Sequence, residues 1–153
     1  MAAFLVDPPT DTRVQSMTLT GGVEAVGRKT RRRAFYALTH LRVSQAVFAG
    51  IILQVFFAGL GLFSSAGFLA HALFAPALGA ITLTLPLLAR LGRVQRPVVM
   101  RSWGLLGLML AQGLLIDLGR WVWMPVSSLH PVNALALILV AYTLARRGAA
   151  DRL

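Results

Sequence analysis

Three histidines, His40, His71 and His130, and a few other polar side chains, Gln54, Gln112, Asp117, Arg120 and Asn133, interrupt a strongly apolar chain. Polar groups are costly inside a bilayer. They face a bundle interior or a water-filled cavity and often mark function. Neutral imidazole ligates iron, zinc and copper, so the histidines are the first candidates for chemistry. There is no cysteine, which excludes thiolate metal sites, iron–sulfur clusters and covalent c-type haem attachment. No paired carboxylates, usable Ser-His-Asp spacing or glycine-rich phosphate loop is present, so the residues do not point to an enzyme.

The elements that must position these residues follow from composition. Of 153 residues, 57% are hydrophobic and only 13% charged, whereas soluble domains carry about 25% charged residues. The apolar residues fall in long continuous blocks, which excludes the alternating pattern of a membrane β-barrel. A membrane-spanning helix needs ~20 apolar residues, and four blocks meet that need, over about 43–63, 68–89, 103–118 and 130–146. Pro131 suits the first turn of the fourth helix. The expected fold is an all-α membrane protein, a four-transmembrane-helix bundle over 39–148. It is preceded by a disordered, basic tail over 1–38 and followed by a short tail over 149–153. No apolar segment ahead of a small-residue cleavage site suggests a secretory signal peptide. No internal repeat is apparent.

The formal net charge is +10, but its placement speaks against nucleic acid. Fourteen of the fifteen basic residues lie in the N-terminal segment, in the loop from Arg90 to Arg101, or after the fourth span; Arg120 is the exception. The positive-inside rule then places both termini and the middle loop in the cytoplasm. The expected location is the bacterial inner membrane, with anionic lipid headgroups against the basic run Arg28, Lys29, Arg31, Arg32 and Arg33. Trp121 and Trp123 fall at the outer interface.

This topology brings the histidines together in depth. The second and fourth spans run parallel, His71 lies about one turn into the second, and His130 opens the fourth. With a rise of ~1.5 Å per residue, both fall near the outer face at matching depth. Two imidazoles on facing helices suit axial ligation of a b-type haem inside an apolar bundle. Asn133 shares a face with His130, and Arg120 could meet a haem propionate. The competing readings are interfacial histidines that bind headgroups or water, a chlorophyll-type pigment with one ligating histidine, and a zinc site. Zinc wants a third or fourth ligand. Gln54 and Gln112 are expected to cross-link helices, and Asp117 to pair with Arg120 three residues on. His40 is expected at the cytoplasmic interface. Ala75 with Gly79, and Gly107 with Ala111, are expected helix contact faces.

The segments LRVSQAVFAGIILQVFFAGLGLF, HALFAPALGAITLTLPLLARL and LHPVNALALILVAYTLARR resemble a family of small bacterial four-helix integral membrane proteins of uncharacterised function. The likeness rests on Gln54 ahead of Ala58 to Gly61, on His71, and on Leu129 to Ala134, and it covers 41–147. A looser likeness is to the four-helix halves of haem A synthase and to b-type membrane cytochromes, which also place histidines on the second and fourth helices. That likeness implies haem binding. With only one such half and no matching carboxylate in an outer loop, it does not imply synthase activity.

Three functions follow as expectations. The first is a b-type haem-binding electron-transfer module with His71 and His130 as iron ligands. The second is a cofactor-free accessory subunit of a larger respiratory or photosynthetic membrane complex. The third is a quinone- or lipid-binding protein with His71, Asp117 and Asn133 in its pocket.

Overall fold

The computed structural model describes the backbone of residues 12–65 and 67–150, and the side chains of 26–65 and 67–146. The chain divides into two units, residues 1–32 and the bundle of residues 33–153. Four α-helices make up the described chain: α1 Thr12–Phe63, α2 Leu69–Leu91, α3 Arg96–Trp121 and α4 Leu129–Ala150. A 3-10 turn, Met124–Ser128, joins α3 to α4. All four helices are long and apolar enough to cross a membrane.

Helix α1 begins at Thr12, inside the segment expected to be an irregular tail. Arginine and lysine are good helix formers, so the basic run from Arg28 to Arg33 joins the first span without a break. Residues 1–11 of the expected tail and residues 151–153 lie outside the described residues. Helices α3 and α4 outrun the expected spans by a turn or more at one end, and α2 agrees with its expected span to within two residues. Arg96 and Arg120 are helical although they are charged, because helix geometry carries polar ends past the apolar stretch.

The connections are short. After α2, the Gly92 and Val94 amides close on the Leu88 and Ala89 carbonyls, and Arg93 takes a φ of 50°. Pro97 then opens α3 within its first turn, where its missing N–H costs nothing. Consecutive helices run antiparallel. Large apolar side chains such as Leu73, Leu110 and Leu139 point outward, as expected where the outer solvent is lipid. The core is narrow and draws on all four helices: Val47 and Ile51, Leu78 and Leu85, Leu105, and Leu137, Ala141 and Leu144.

The bundle is an internal repeat, contrary to the reading from sequence. Ser44, Gln54 and Gly61 are matched 58 positions later by Ser102, Gln112 and Gly119. His71, Leu78, Thr84 and Leu85 are matched 59 positions later by His130, Leu137, Thr143 and Leu144. The extra residue falls in the second connection. Ser44 and Ser102 are both buried, as are the pairs Leu78 and Leu137, and Leu85 and Leu144. The close approaches repeat as well. A Cβ on Gly61 would meet the Phe68 ring at 2.6 Å, and one on Gly119 would sit 2.9 Å from the Ser127 backbone nitrogen. Phe68 and Ser127 are themselves 59 apart. The α1–α2 and α3–α4 hairpins are therefore two copies of one unit.

The expected contact faces at Gly79 and Gly107 are open, with nothing within 4 Å of a Cβ at either position. Close packing occurs instead at Gly50, against Leu78, and at Gly61, Gly92 and Gly119.

Candidate functional site

Each hairpin fastens its histidine in the same way. The His71 ring donates from Nδ1 to the Gln54 backbone carbonyl at 3.0 Å, and the Gln54 side-chain Nε2 donates back to the His71 carbonyl at 2.8 Å. In the second hairpin, His130 Nδ1 donates to the Gln112 carbonyl at 3.0 Å, and Gln112 Nε2 donates to the His130 carbonyl at 3.1 Å. Such a reciprocal pair ties the middle of one helix to the start of the next and fixes both side chains. The expectation that Gln54 and Gln112 cross-link helices is thus met, through a backbone partner in each case.

These bonds set the tautomers. A carbonyl oxygen only accepts, so the nitrogen facing it carries the proton. In both rings the proton sits on Nδ1, which leaves the Nε2 lone pair free. Among the described residues neither Nε2 has a hydrogen-bond partner. An Nδ1–H held by a carbonyl is the second-shell arrangement that orients a metal-ligating histidine and raises its basicity.

The two rings also meet. The His71 and His130 centroids are 6.2 Å apart at an interplanar angle of 62°. The two half-buried imidazoles converge across the bundle from parallel helices. An imidazole nitrogen lies about 1.15 Å from its ring centre, so linear axial ligation with bonds of ~2.0 Å places the centroids ~6.3 Å apart. The observed spacing of 6.2 Å is one at which both imidazoles could hold a single metal ion. Among the described residues no group of three His, Cys, Asp or Glu side chains could hold a metal ion. Two imidazoles without a third ligand suit a metal that brings its own equatorial donors. One turn along from each histidine stand the half-buried Ala75 and Ala134, small side chains at equivalent places.

Beside the histidines the two halves differ three residues on, at Phe74 and Asn133. Asn133 Nδ2 donates to the Leu108 carbonyl at 2.9 Å and also bonds Gln112 Oε1. In the first hairpin the equivalent position holds Phe74, whose ring packs edge-on against Phe57 at 5.6 Å. Gln54 Oε1 is buried with no hydrogen-bond partner. Turning the amide over would not help, because the His71 carbonyl accepts only and needs Nε2.

Two expected site residues are placed differently. Asp117 and Arg120 are both exposed and form no ion pair, although they are three residues apart on α3. The Arg120 guanidinium lies over the Trp121 ring instead, 5.6 Å from its centroid. Flat stacking on an aromatic face competes well with an exposed ion pair.

His40, expected at the cytoplasmic interface, is buried within the bundle. It is 4% exposed, and its Nε2 lies 2.9 Å from Ser102 Oγ. Ser102 Oγ donates to the Val98 carbonyl at 2.9 Å, so His40 is the donor in this bond and its proton sits on Nε2. The Ser44 hydroxyl closes on the His40 carbonyl at 2.8 Å. His40 stands fourteen residues before Gln54 on α1, a rise of ~21 Å. The α1 and α3 helices therefore meet through His40 and Ser102 at one end, and α2 and α4 meet through the histidine pair at the other. The residues missed from sequence are the two buried serines. Their signal was the shared spacing of ten residues to each glutamine.

Residues 54–120 match the model of a family of unknown function, DUF6220. The matched stretch is under half of the chain. It holds Gln54, His71 and Gln112 and stops before His130. No curated protein and no solved structure matches the chain.

Proposed function

We propose that this four-helix membrane protein binds one b-type haem between His71 and His130 and serves as an electron-transfer module. The observation that carries the reading is the convergence of two imidazoles at 6.2 Å, each with Nδ1 tied to a backbone carbonyl and Nε2 free. Haem supplies a one-electron ferric–ferrous couple when bound. The chain's own residues supply the rest. His71 and His130 offer two neutral nitrogen donors. Gln54 and Gln112 hold those donors in one tautomer and one orientation, so little ordering remains on binding. Ala75 and Ala134 are small, half-buried residues one turn on from each histidine, and the core leucines Leu78 and Leu137 follow on the same helices. Among the described residues Arg120 has no acid partner, and it is a cation available at this end for a propionate. By the positive-inside rule this end faces outward from the bacterial inner membrane.

The test is an absorption spectrum of protein purified in mild detergent after expression with ample haem. The reading expects a Soret band with the sharp visible bands of six-coordinate haem. The sharp six-coordinate bands should be lost in both His71→Ala and His130→Ala. A colourless wild-type protein, or a spectrum unchanged in both variants, would refute it.

A further inference from the structure

The two histidine fastenings are copies of each other, so their one difference stands out. Four hydrogen bonds cross between α3 and α4 around His130, because Asn133 adds its bonds to the Leu108 carbonyl and to Gln112. Among the described residues two cross between α1 and α2 around His71. Phe74 stands where Asn133 would be, and Gln54 Oε1 is left buried and bare. A buried acceptor without a partner raises the free energy of the closed state, and opening relieves it. A segment with fewer cross-links also opens more often. Both effects act on the His71 side and neither acts on the His130 side.

We infer that the two imidazoles are unequal, and that His71 yields its coordination position to a small neutral ligand such as carbon monoxide while His130 stays in place. This rests on the haem reading above. The exchange moves no electron. With haem bound, His71 Nε2 would give up its bond to the iron as the incoming carbon takes that position, and His71 would leave as neutral imidazole with its proton still on Nδ1. The site is thus both an electron-transfer centre and a binding site for diatomic ligands, entered from the α1–α2 side.

The experiment uses dithionite-reduced, haem-loaded protein and carbon monoxide as the probe. Wild type should form a carbon monoxide adduct. His71→Ala should keep haem, five-coordinate on His130, and bind the gas faster. His130→Ala should lose most of its haem. Phe74→Asn gives Gln54 Oε1 the donor that the other half already has, and should weaken carbon monoxide binding about tenfold. A readout independent of haem is amide exchange, which should be faster over 54–58 than over 112–116. This comparison decides the matter if Phe74→Asn does not fold. Absence of a Soret band would overturn the haem reading and this inference with it. A six-coordinate Soret with no carbon monoxide adduct, equal haem retention in the two histidine variants, or equal exchange in the two segments would overturn this inference alone.

Discussion

Replacing each glutamine by leucine should affect stability unequally, although the two hold equivalent places. In Gln112→Leu the Nε2 bond to the His130 carbonyl and the Asn133 bond to Oε1 are both lost. Interhelical hydrogen bonds in membrane proteins average ~0.6 kcal/mol and reach ~1.7. The loss is then between ~1 and ~3 kcal/mol. In Gln54→Leu only the Nε2 bond to the His71 carbonyl is lost, and the bare Oε1 goes with it. Leaving a buried acceptor unsatisfied costs ~1–3 kcal/mol, so its removal offsets the lost bond. The net effect runs from near neutral to a stabilisation of up to ~2 kcal/mol. The two variants should therefore differ by ~1 kcal/mol or more in equilibrium unfolding in mixed micelles, measured without haem. Equal destabilisation by both variants, or a larger loss in Gln54→Leu, would refute the assignment of Gln54 Oε1 as an orphan.

Other substitutions test the rest of the bundle. Ser102→Ala removes the acceptor of the buried His40 Nε2–H and should cost ~1–3 kcal/mol in the same assay, while leaving any haem spectrum unchanged. Gly119→Ala places a Cβ 2.9 Å from a backbone nitrogen and should lower the thermal midpoint. Gly79→Ala meets nothing within 4 Å and should be neutral or stabilise by up to ~1 kcal/mol through helix propensity. Arg120→Ala should keep the six-coordinate spectrum and weaken haem retention about 2- to 5-fold in a competition with apomyoglobin, as expected of an exposed charge contact worth ~0.5–1 kcal/mol.

The spans and the matching depth of His71 and His130 were legible because both depend only on hydropathy and helix rise. The two rings lie side by side, 6.2 Å between centroids. The reciprocal Gln–His bonds were only half legible. Side-chain types suggested cross-linking, but a backbone partner has no signature in residue identity. The repeat escaped notice because its matching residues are separated by lipid-facing positions, where one apolar residue serves as well as another. Only the inward positions, Ser44 with Ser102, Gln54 with Gln112 and His71 with His130, had reason to stay alike in chemistry. The burial of His40 was not legible for a related reason. A histidine flanked by Arg42 reads as interfacial, whereas its burial depends on Ser102 arriving from α3, sixty-two residues away. The missing Asp117–Arg120 pair shows the limit of spacing rules at a surface, since Trp121 offers the guanidinium an alternative of similar strength.

The central claim is that one iron is held by both histidines, and electron paramagnetic resonance of ferric, haem-loaded protein tests it most directly. The ring planes stand at 62°, nearer perpendicular than parallel, and a haem iron held between them would have its π-orbitals close in energy. The account predicts a low-spin, strongly anisotropic signal in wild type that is replaced by a high-spin signal in His71→Ala. A high-spin signal in wild type, or a low-spin signal that persists without His71 and His130, would contradict it.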